Sequence, residues 1–178
     1  MKLAFGALSL VLSFGVAYVL GVPTIIAPRL SEKSCLEVRG GVNADGTPVD
    51  ITTCGSSTGQ VWTLDAGPSK AGTIRIAAWN KCLDVTDGKT ANGNKLQIWT
   101  CTAGNPNQMF TYPTPPLAIK WARSGVNKCV DLTDGKIADG TPVRLNSSWE
   151  NWHFVVDLRS HDRRSCGTAQ VALIRYGI

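Results

Sequence analysis

The sequence predicts an all-β fold built from three equivalent units. Short apolar runs alternate with turn signals along the chain, which carries 18 glycines and nine prolines among its 178 residues. Beyond about residue 22, no segment keeps the apolar period of a helix. One sequence motif occurs three times: Cys35, Cys82 and Cys129 follow one another at intervals of 47 residues, and each begins a Cys-Leu-Asp-Val-like tetrapeptide. Such copies must pack together, because one unit alone cannot bury its apolar face.

Each unit contains the same four predicted strands. The units run over about residues 24–68, 69–116 and 117–156. An apolar strand leads into the cysteine strand, an Asx-Gly turn follows, and a third strand is followed by a short fourth strand. The fourth strand is predicted to end in a Gln-x-aromatic triplet or its equivalent, namely Gln60-Val61-Trp62, Gln108-Met109-Phe110 and Trp152-His153-Phe154. Twelve strands in three copies predict a β-trefoil with pseudo-threefold symmetry.

The N-terminal segment, residues 1–21, differs from the repeats. Lys2 precedes an uncharged, largely apolar run, and small residues follow at Ala17 and Gly21. This pattern is typical of a secretory signal peptide, with an uncleaved signal anchor as the alternative. We therefore expect a secreted, extracellular protein whose mature chain does not insert into a membrane and whose domain spans residues 22–156.

The tail, residues 157–178, matches nothing in the repeats. We expect either an extra strand or a disordered extension. A misassigned reading frame or intron near Val143 is a further hypothesis, which would affect residues 144–178 and which transcript sequencing would test.

The six cysteines fit an oxidising compartment. Six cysteines allow 15 pairings, but equivalent cysteines of a repeat protein should pair alike. The expected disulfides, each joining cysteines 19 residues apart, are Cys35–Cys54 and Cys82–Cys101. Each would stabilise the fold by roughly 3 kcal/mol. Ser148 stands at the matching position of repeat three, so Cys129 and Cys166 are expected either to bridge each other or to stay free.

Several functional classes find little support in the composition. The net charge of +5 is spread along the chain, without the basic, aromatic-interleaved face of a nucleic-acid-binding protein. No Cys-x-x-Cys pair or cofactor motif occurs, so we expect no metal and no cofactor. The two histidines, His153 and His161, have no nucleophile in a recognisable setting. Glu37 and Asp50 could be considered as the acidic pair of a glycosidase, but they stand at positions that have drifted from the repeat pattern, so we expect no enzymatic activity.

The most complete set of motifs lies in repeat two. It reads CLDV at 82–85, NGNKLQIWTC at 92–101 and NQMF at 107–110. These motifs resemble the ricin B-chain type lectins, the R-type or Q-x-W β-trefoils, and the resemblance extends over about residues 24–156. Members of that family usually bind galactose or N-acetylgalactosamine, so the resemblance implies glycans or glycoproteins as partners. The carbohydrate-binding residues that it implies are Asp84, Gln97, Trp99 and Asn107, with Gln108 beside them. Gln108 and Phe110, from the Q-x-W position, are expected to act as a hinge and core plug.

The side-chain chemistry of repeat two supports the same interpretation. Gln97 and Trp99 should share one strand face, because Ile98 between them points inward. An exposed indole suits the apolar face of a galactopyranose. An ionised Asp84 can accept hydrogen bonds from two vicinal hydroxyls, and Gln97 and Asn107 add amide groups at the rim. The alternatives are core packing for Trp99, strand capping for Asp84 and a turn role for Asn107.

Repeat one has lost this set. Glu37 takes the carboxylate position, Asp50 replaces the glutamine and Thr52 replaces the tryptophan. Two close carboxylates would repel each other, so we expect little or no sugar binding there.

Repeat three is also degenerate. Its residues at the carboxylate, glutamine, tryptophan and asparagine positions are Asp131, Arg144, Asn146 and Asn151. A displaced aromatic platform from Trp149 or Trp152 is the alternative that would preserve binding. Asn146 also begins an Asn-Ser-Ser glycosylation sequon, and a glycan there would block the site.

The sequence thus predicts a secreted lectin with one galactose-type site, in repeat two, and leaves the oligomeric state open. One alternative is a xylan-type polysaccharide-binding module like those attached to glycosidases. Another is a secreted β-trefoil protease inhibitor that acts through an exposed loop, which would leave the four polar and aromatic side chains of repeat two unexplained.

Overall fold

In a computed structural model of the protein, the described residues are 23–28, 31, 33–67, 69–111 and 118–147, together with the backbone of 173–176. The predicted leader lies outside them, as do Ser148, Trp149, Asn151, Trp152, both histidines and Cys166. Within the described part of the chain, no helix is long and apolar enough to cross a membrane.

The described residues form twelve β-strands and five short 3-10 turns, which confirms the all-β prediction. The strands are β1 Thr24–Ala27, β2 Ser34–Val38, β3 Val49–Thr53, β4 Val61–Leu64, β5 Ile74–Ile76, β6 Lys81–Val85, β7 Leu96–Thr100, β8 Phe110–Thr111, β9 Lys120–Trp121, β10 Cys129–Leu132, β11 Thr141–Asn146 and β12 Leu173–Tyr176. The 3-10 turns are Arg39–Gly41, Thr58–Gln60, Thr86–Gly88, Pro106–Gln108 and Thr133–Gly135.

The three repeats contribute equivalent antiparallel hairpins, β2–β3, β6–β7 and β10–β11. The remaining strands pair in the order β12-β1-β4-β5 and β8–β9, and a bridge between Gly72 and Phe110 joins the two groups. The tip of each hairpin bonds to the third strand of the next repeat. In the first such contact Gly46 N donates to Ile98 O and Ile98 N donates to Thr47 O, both at 2.9 Å. Contacts of this kind link the hairpins into a closed ring.

One hydrophobic core lies between the repeats. Its largest side chains are Trp62, Phe110 and Trp121, which are at most 1% exposed. Leu83 and Ile98 of repeat two are fully buried among them. Truncating one of the aromatic side chains to alanine would cost about 3–5 kcal/mol, because the neighbouring strands cannot collapse fully into the space left. The inward residues of β6 and β7 thereby fix which face of the hairpin remains available for a site.

The position of the Gln-x-aromatic triplets corrects one prediction. The fourth strand does not end in the triplet: Gln60 closes a 3-10 turn, and Trp62 lies inside β4. The reason is that Gln60 Oε1 accepts a hydrogen bond from Gly55 N at 2.8 Å, so its amide bonds to the preceding loop where the chain turns. Gln108 makes the equivalent bond in repeat two. The aromatic ring then enters the core from the strand that follows.

Both predicted disulfides are present. Cys35–Cys54 and Cys82–Cys101 each have a Cα–Cα distance of 5.0 Å, within the usual range for a disulfide. Cys129 is also disulfide-bonded, and the described residues contain no free cysteine. The predicted choice for Cys166 falls outside the described residues.

The tail provides a strand of the fold. β12 pairs antiparallel with the whole of β1, from Thr24 opposite Tyr176 to Ala27 opposite Leu173. Of the two alternatives for the tail, the structure therefore shows the extra strand for these four residues. The repeat pattern gave no indication of it, because a strand this short carries no motif and its register is set by β1.

Candidate functional site

The β6–β7 hairpin presents a set of polar side chains on one face. Asp84 and Gln97 are cross-strand partners, and Gln97 Nε2 donates to Asp84 Oδ1 at 3.1 Å. Trp99 is 43% exposed, whereas Ile98 before it is fully buried. This is the alternation expected of a strand with one buried face. Core packing therefore does not account for Trp99.

Gln108 donates a hydrogen bond to the Asp84 carboxylate from the core side of the hairpin. Its side chain is fully buried, and Nε2 donates at 3.1 Å both to Asp84 Oδ2 and to the backbone carbonyl of Thr100. Its Oε1 accepts from Thr102 N at 2.9 Å. Both N–H donors and the oxygen of the buried amide thus have hydrogen-bond partners, as buried polar groups usually do. This arrangement fits the hinge and core role that the sequence suggested for Gln108.

Asn107 lies over the 3-10 turn that follows β6. Asn107 belongs to the turn Pro106–Gln108, where its backbone N–H is capped by Asn105 Oδ1 at 3.0 Å. A Cβ atom added to Gly88 would stand 2.6 Å from Asn107 Oδ1, too close for any ordinary contact. Gly88 also has φ +60°, a conformation that glycine adopts readily. The Asn107 amide can therefore sit where it does only because residue 88 has no side chain.

The pKa of Asp84 is raised, mainly because burial disfavours the charged carboxylate. Hydrogen bonds from Gln97 and Gln108 act in the opposite direction, and the negative charges of Asp45 and Asp87 add to the increase. The site thus holds a carboxylate that is poorly solvated by water. Hydroxyl donors from a ligand would replace part of the missing hydration.

The hairpin tip of repeat one forms a wall of this site. Asp45 Oδ1 accepts from Lys81 Nζ and from Thr100 N, each at 2.6 Å. A Cβ added to the neighbouring Gly46 would come within 3.8 Å of the Trp99 ring. The sequence indicated a turn at Asp45 and Gly46, but it gave no sign that the turn reaches the next repeat. The same Asx-Gly pair in all three repeats was the only available signal.

A comparison against known families gives the same fold. The model of the ricin-type beta-trefoil lectin domain matches residues 23–153. The chain belongs to this family. The prediction of a β-trefoil is confirmed. Membership of this lectin family supports carbohydrate binding in general. No curated protein matches the chain significantly.

Solved structures share the ricin-type fold at low sequence identity. ThreeFoil, a designed 3-fold symmetric protein, is 20% identical with a TM-score of 0.64, and the match covers 72% of this chain and 92% of ThreeFoil. The C-half of the earthworm R-type lectin, solved with GalNAc, is 12% identical with a TM-score of 0.56, over 88% of this chain and 99% of that one. Polyporus squamosus lectin, solved with a human-type influenza-binding epitope, is 16% identical with a TM-score of 0.61, over 90% and 50%. The chain spans only 18% of a mosquitocidal holotoxin and 27% of an exo-beta-1,3-galactanase from Clostridium thermocellum that it also matches. These likenesses show the fold alone.

Repeat one of this ricin-type lectin domain differs from the sequence prediction in one respect. Asp50 is 1% exposed and forms a bidentate ion pair with Arg39, with Nε–Oδ2 at 2.5 Å and Nη2–Oδ1 at 2.9 Å. Glu37 accepts hydrogen bonds from Thr52 Oγ1 and, at 3.2 Å, from Gln60 Nε2. The predicted repulsion between Glu37 and Asp50 is therefore compensated. Sequence reasoning missed Arg39 because it compared only the four sugar-contact positions.

Repeat three has filled its own carboxylate position with internal contacts. Arg144 Nε donates to Asp131 Oδ2 at 3.0 Å, and a second guanidinium nitrogen donates to Asp134 Oδ1 at 3.3 Å. Asn146 Nδ2, the nitrogen of the sequon, also donates to Asp131 Oδ2, at 3.2 Å. Burial raises the pKa of Asp131, and the bonds from Arg144 and Asn146 oppose the increase. The predicted contact Asn151 and the alternative platforms lie outside the described residues.

The predicted residues of repeat two come together as one group. The amides of Gln97 and Gln108 hold the Asp84 carboxylate, with the exposed Trp99 ring on the same hairpin and Asn107 at the neighbouring turn. Among the described residues, no cluster of three or more His, Cys, Asp or Glu side chains could hold a metal ion. The arrangement offers hydrogen-bond acceptors, amides and an apolar ring to a ligand.

Proposed function

We propose that repeat two binds one glycan of the galactose or N-acetylgalactosamine type. The observation that carries the proposal is the state of Asp84: each carboxylate oxygen accepts one amide hydrogen bond and keeps further acceptor capacity. Two such oxygens match a pair of vicinal sugar hydroxyls. The exposed ring of Trp99 offers a stacking surface for the apolar face of the same sugar.

Repeats one and three are proposed not to bind sugar. In both, an arginine engages a carboxylate of the corresponding face: Arg39 bonds Asp50, and Arg144 bonds Asp131. A sugar would have to displace an internal ion pair to reach these oxygens, which costs more than displacing water. Thr52 and Asn146 also stand where repeat two has its indole.

Isothermal titration with lactose tests the proposal. The parent protein should bind with a stoichiometry near one, and Trp99→Ala should weaken binding by about tenfold, because the stacking contact and its buried apolar area are both lost. Thr52→Ala and Asn146→Ala change the same position in repeats one and three, and they serve as matched controls that should bind as the parent does. Absence of lactose binding by the parent, or unchanged affinity in Trp99→Ala, would contradict the site assignment.

A glycan array extends the test to the class of ligand. Galactosides should be retained in preference to xylan fragments, and retention should require Trp99. Preference for xylan would support the polysaccharide-module alternative. Inhibition of a protease that does not change on mutation of Trp99 would support the inhibitor alternative.

The role that we propose is binding without catalysis, in a secreted protein. The acidic pair Glu37 and Asp50, the one considered for glycoside hydrolysis, is already engaged by Thr52 and Arg39. The disulfides suit an oxidising compartment. Sequencing the N-terminus of the exported protein should show cleavage close to Gly21, and incubation with galactosides should release no reducing sugar.

A further inference from the structure

We propose that Trp121 and Arg123 of repeat three are positioning residues for the site of repeat two. The inference rests on the proposed function of that site. Trp121 lies in β9 and is fully buried, and its Nε1 donates to the backbone carbonyl of Pro106 at 2.8 Å. Pro106 opens the 3-10 turn that carries Asn107 and Gln108. The indole thus fixes one of the two turns that frame the site.

Arg123 fixes the other turn. Its guanidinium lies 5.3 Å from the centroid of the Trp121 ring, within the range of a cation–π contact. One of its nitrogens donates to the backbone carbonyl of Gly88 at 2.8 Å. Gly88 is the residue over which the Asn107 amide lies. Through these two hydrogen bonds, Trp121 and Arg123 hold the two turns in which Gly88 and Asn107 lie close together.

These two contacts do not follow from the threefold repeat. Phe110 pairs with Trp121 in the same way that Trp62 pairs with Ile76, so Ile76 occupies the equivalent register position next to repeat one. The side chain of an isoleucine has no N–H to donate. Trp62 itself donates its indole N–H to Leu36 O, at 3.0 Å, inside its own repeat. The tryptophan and arginine at this place therefore serve the one site that keeps its full set of ligand groups.

The hydrogen bonds of Trp121 and Arg123 order the site before a ligand binds. The cap from Asn105 holds Asn107 within its own turn. The two hydrogen bonds from repeat three tie both turns to neighbouring residues of one segment, Trp121 and Arg123. A site that is already in its binding geometry loses less entropy when a ligand binds, and so binds more tightly. Repeat three thereby contributes to affinity without touching the sugar.

Two variants and two matched controls test this assignment. Arg123→Ala removes the contact with Gly88, and Trp121→Phe keeps an aromatic ring but removes the N–H. Arg75→Ala changes a partly exposed arginine that pairs with Asp65 instead, and Trp62→Phe removes a buried indole donor that bonds within repeat one. Lactose affinity should fall by about 3- to 10-fold in the first two and stay unchanged in the controls.

Amide hydrogen exchange gives a readout that needs no ligand. The N–H groups of Lys89 and Gln108, which close the two turns, should exchange faster in Arg123→Ala and Trp121→Phe than in the parent and controls, at a thermal midpoint no lower than that of the matched control. Unchanged exchange at these amides, or a loss of affinity that only follows a lower midpoint, would overturn the assignment. If the parent binds no lactose, the proposed function fails, while the exchange rates still decide whether these residues position the turns.

Discussion

At the scale of single residues, Asp84 shows how a fold prepares a polar group for a ligand. The carboxylate is 4% exposed, yet its two oxygens receive only one amide hydrogen bond each. Burial without full hydrogen bonding raises its pKa. At the proposed glycan site, both oxygens of this carboxylate can accept ligand hydroxyls while the group is ionised, and protonation would turn one of them into a donor.

Ionisation of Asp84 should make lactose binding depend on pH. Lactose affinity should fall as the pH is lowered, starting at a higher pH than the ordinary aspartate pKa of about 3.9 would give, because the pKa of Asp84 is raised. The effect on folding has the opposite sign. A folded-state pKa above the unfolded value means that protonation of Asp84 between the two favours the folded protein. Titration calorimetry from pH 7 to pH 4 measures the decline, and Asp84→Asn should bind weakly without this dependence. Constant affinity of the parent over that range would contradict the prediction.

The lack of a side chain at Gly88 should also matter for lactose binding. Gly88→Ala should weaken lactose binding, because the new Cβ would displace Asn107, and should lower stability by about 1 kcal/mol through the positive φ. Gly93→Ala is the matched control: Gly93 also has a positive φ, +82°, but no atom lies within 4 Å of an added Cβ. The control should lose similar stability in urea denaturation and keep its affinity. Equal affinity in the two variants would show that contact with Asn107 is not what matters.

At the scale of elements, the hairpin tips connect the repeats. Asp45 of repeat one bonds Lys81 and Thr100 of repeat two. The equivalent residue of repeat two, Asn92, bonds Ser147 N and Oγ, each at 3.0 Å, and also Lys128. Asp139 of repeat three accepts from Thr53 Oγ1, at 3.1 Å, in repeat one. The side chain that begins each turn thus reaches the end of the next hairpin.

We predict that Asp45→Ala lowers the free energy of unfolding by about 1–2 kcal/mol at pH 7, because a charged acceptor with three partners is lost. The pKa of Asp45 is lowered, chiefly by the hydrogen bond from Lys81. Its contribution is therefore fully present above the unfolded pKa and is lost as the pH falls through the folded pKa. The difference from the parent should shrink below about pH 4.

Urea denaturation at pH 7 and again below about pH 4 measures this difference in the free energy of unfolding. Asp139→Ala is the matched control for Asp45→Ala, since Asp139 bonds only the hydroxyl of Thr53 among the contacts described for it. It should cost less than Asp45→Ala. An equal loss in both variants, or a loss that does not depend on pH, would argue against the ion-paired role of Asp45.

At the scale of the whole molecule, the 47-residue period was enough to predict the fold. The repeat predicted the β-trefoil, and equivalence between repeats predicted Cys35–Cys54 and Cys82–Cys101. Alternation along one strand placed Trp99 outside and Ile98 inside. These features depend on local chemistry that recurs at fixed spacing.

What the sequence left unpredicted depends on contacts between segments with no shared pattern. Arg39, which lies in a turn outside the compared positions, forms an ion pair with Asp50 of repeat one. Arg123 reaches Gly88 across 35 residues of sequence. β12 has no counterpart motif, and its place follows only from the open edge of β1. Each of these requires the three-dimensional arrangement of the repeats.

β12 should stabilise the sheet by covering one edge of β1. Removing residues 173–178 should lower the thermal midpoint and promote association, because β1 would lose its neighbour and expose an unpaired strand edge. Removing only residues 177–178, which follow the strand, is the control and should have little effect. Circular dichroism during heating, together with size-exclusion chromatography, measures both changes. Equal behaviour of the two truncations would show that β12 does not stabilise the sheet.

The arginines of repeats one and three also bear on valency. With Arg39 on Asp50 and Arg144 on Asp131, each copy of the chain presents a single proposed glycan site. Agglutination requires at least two sites on one particle, so a monomer with this arrangement would coat a glycan-bearing cell without joining it to another. It would compete with multivalent lectins for the same sugars and block their cross-linking.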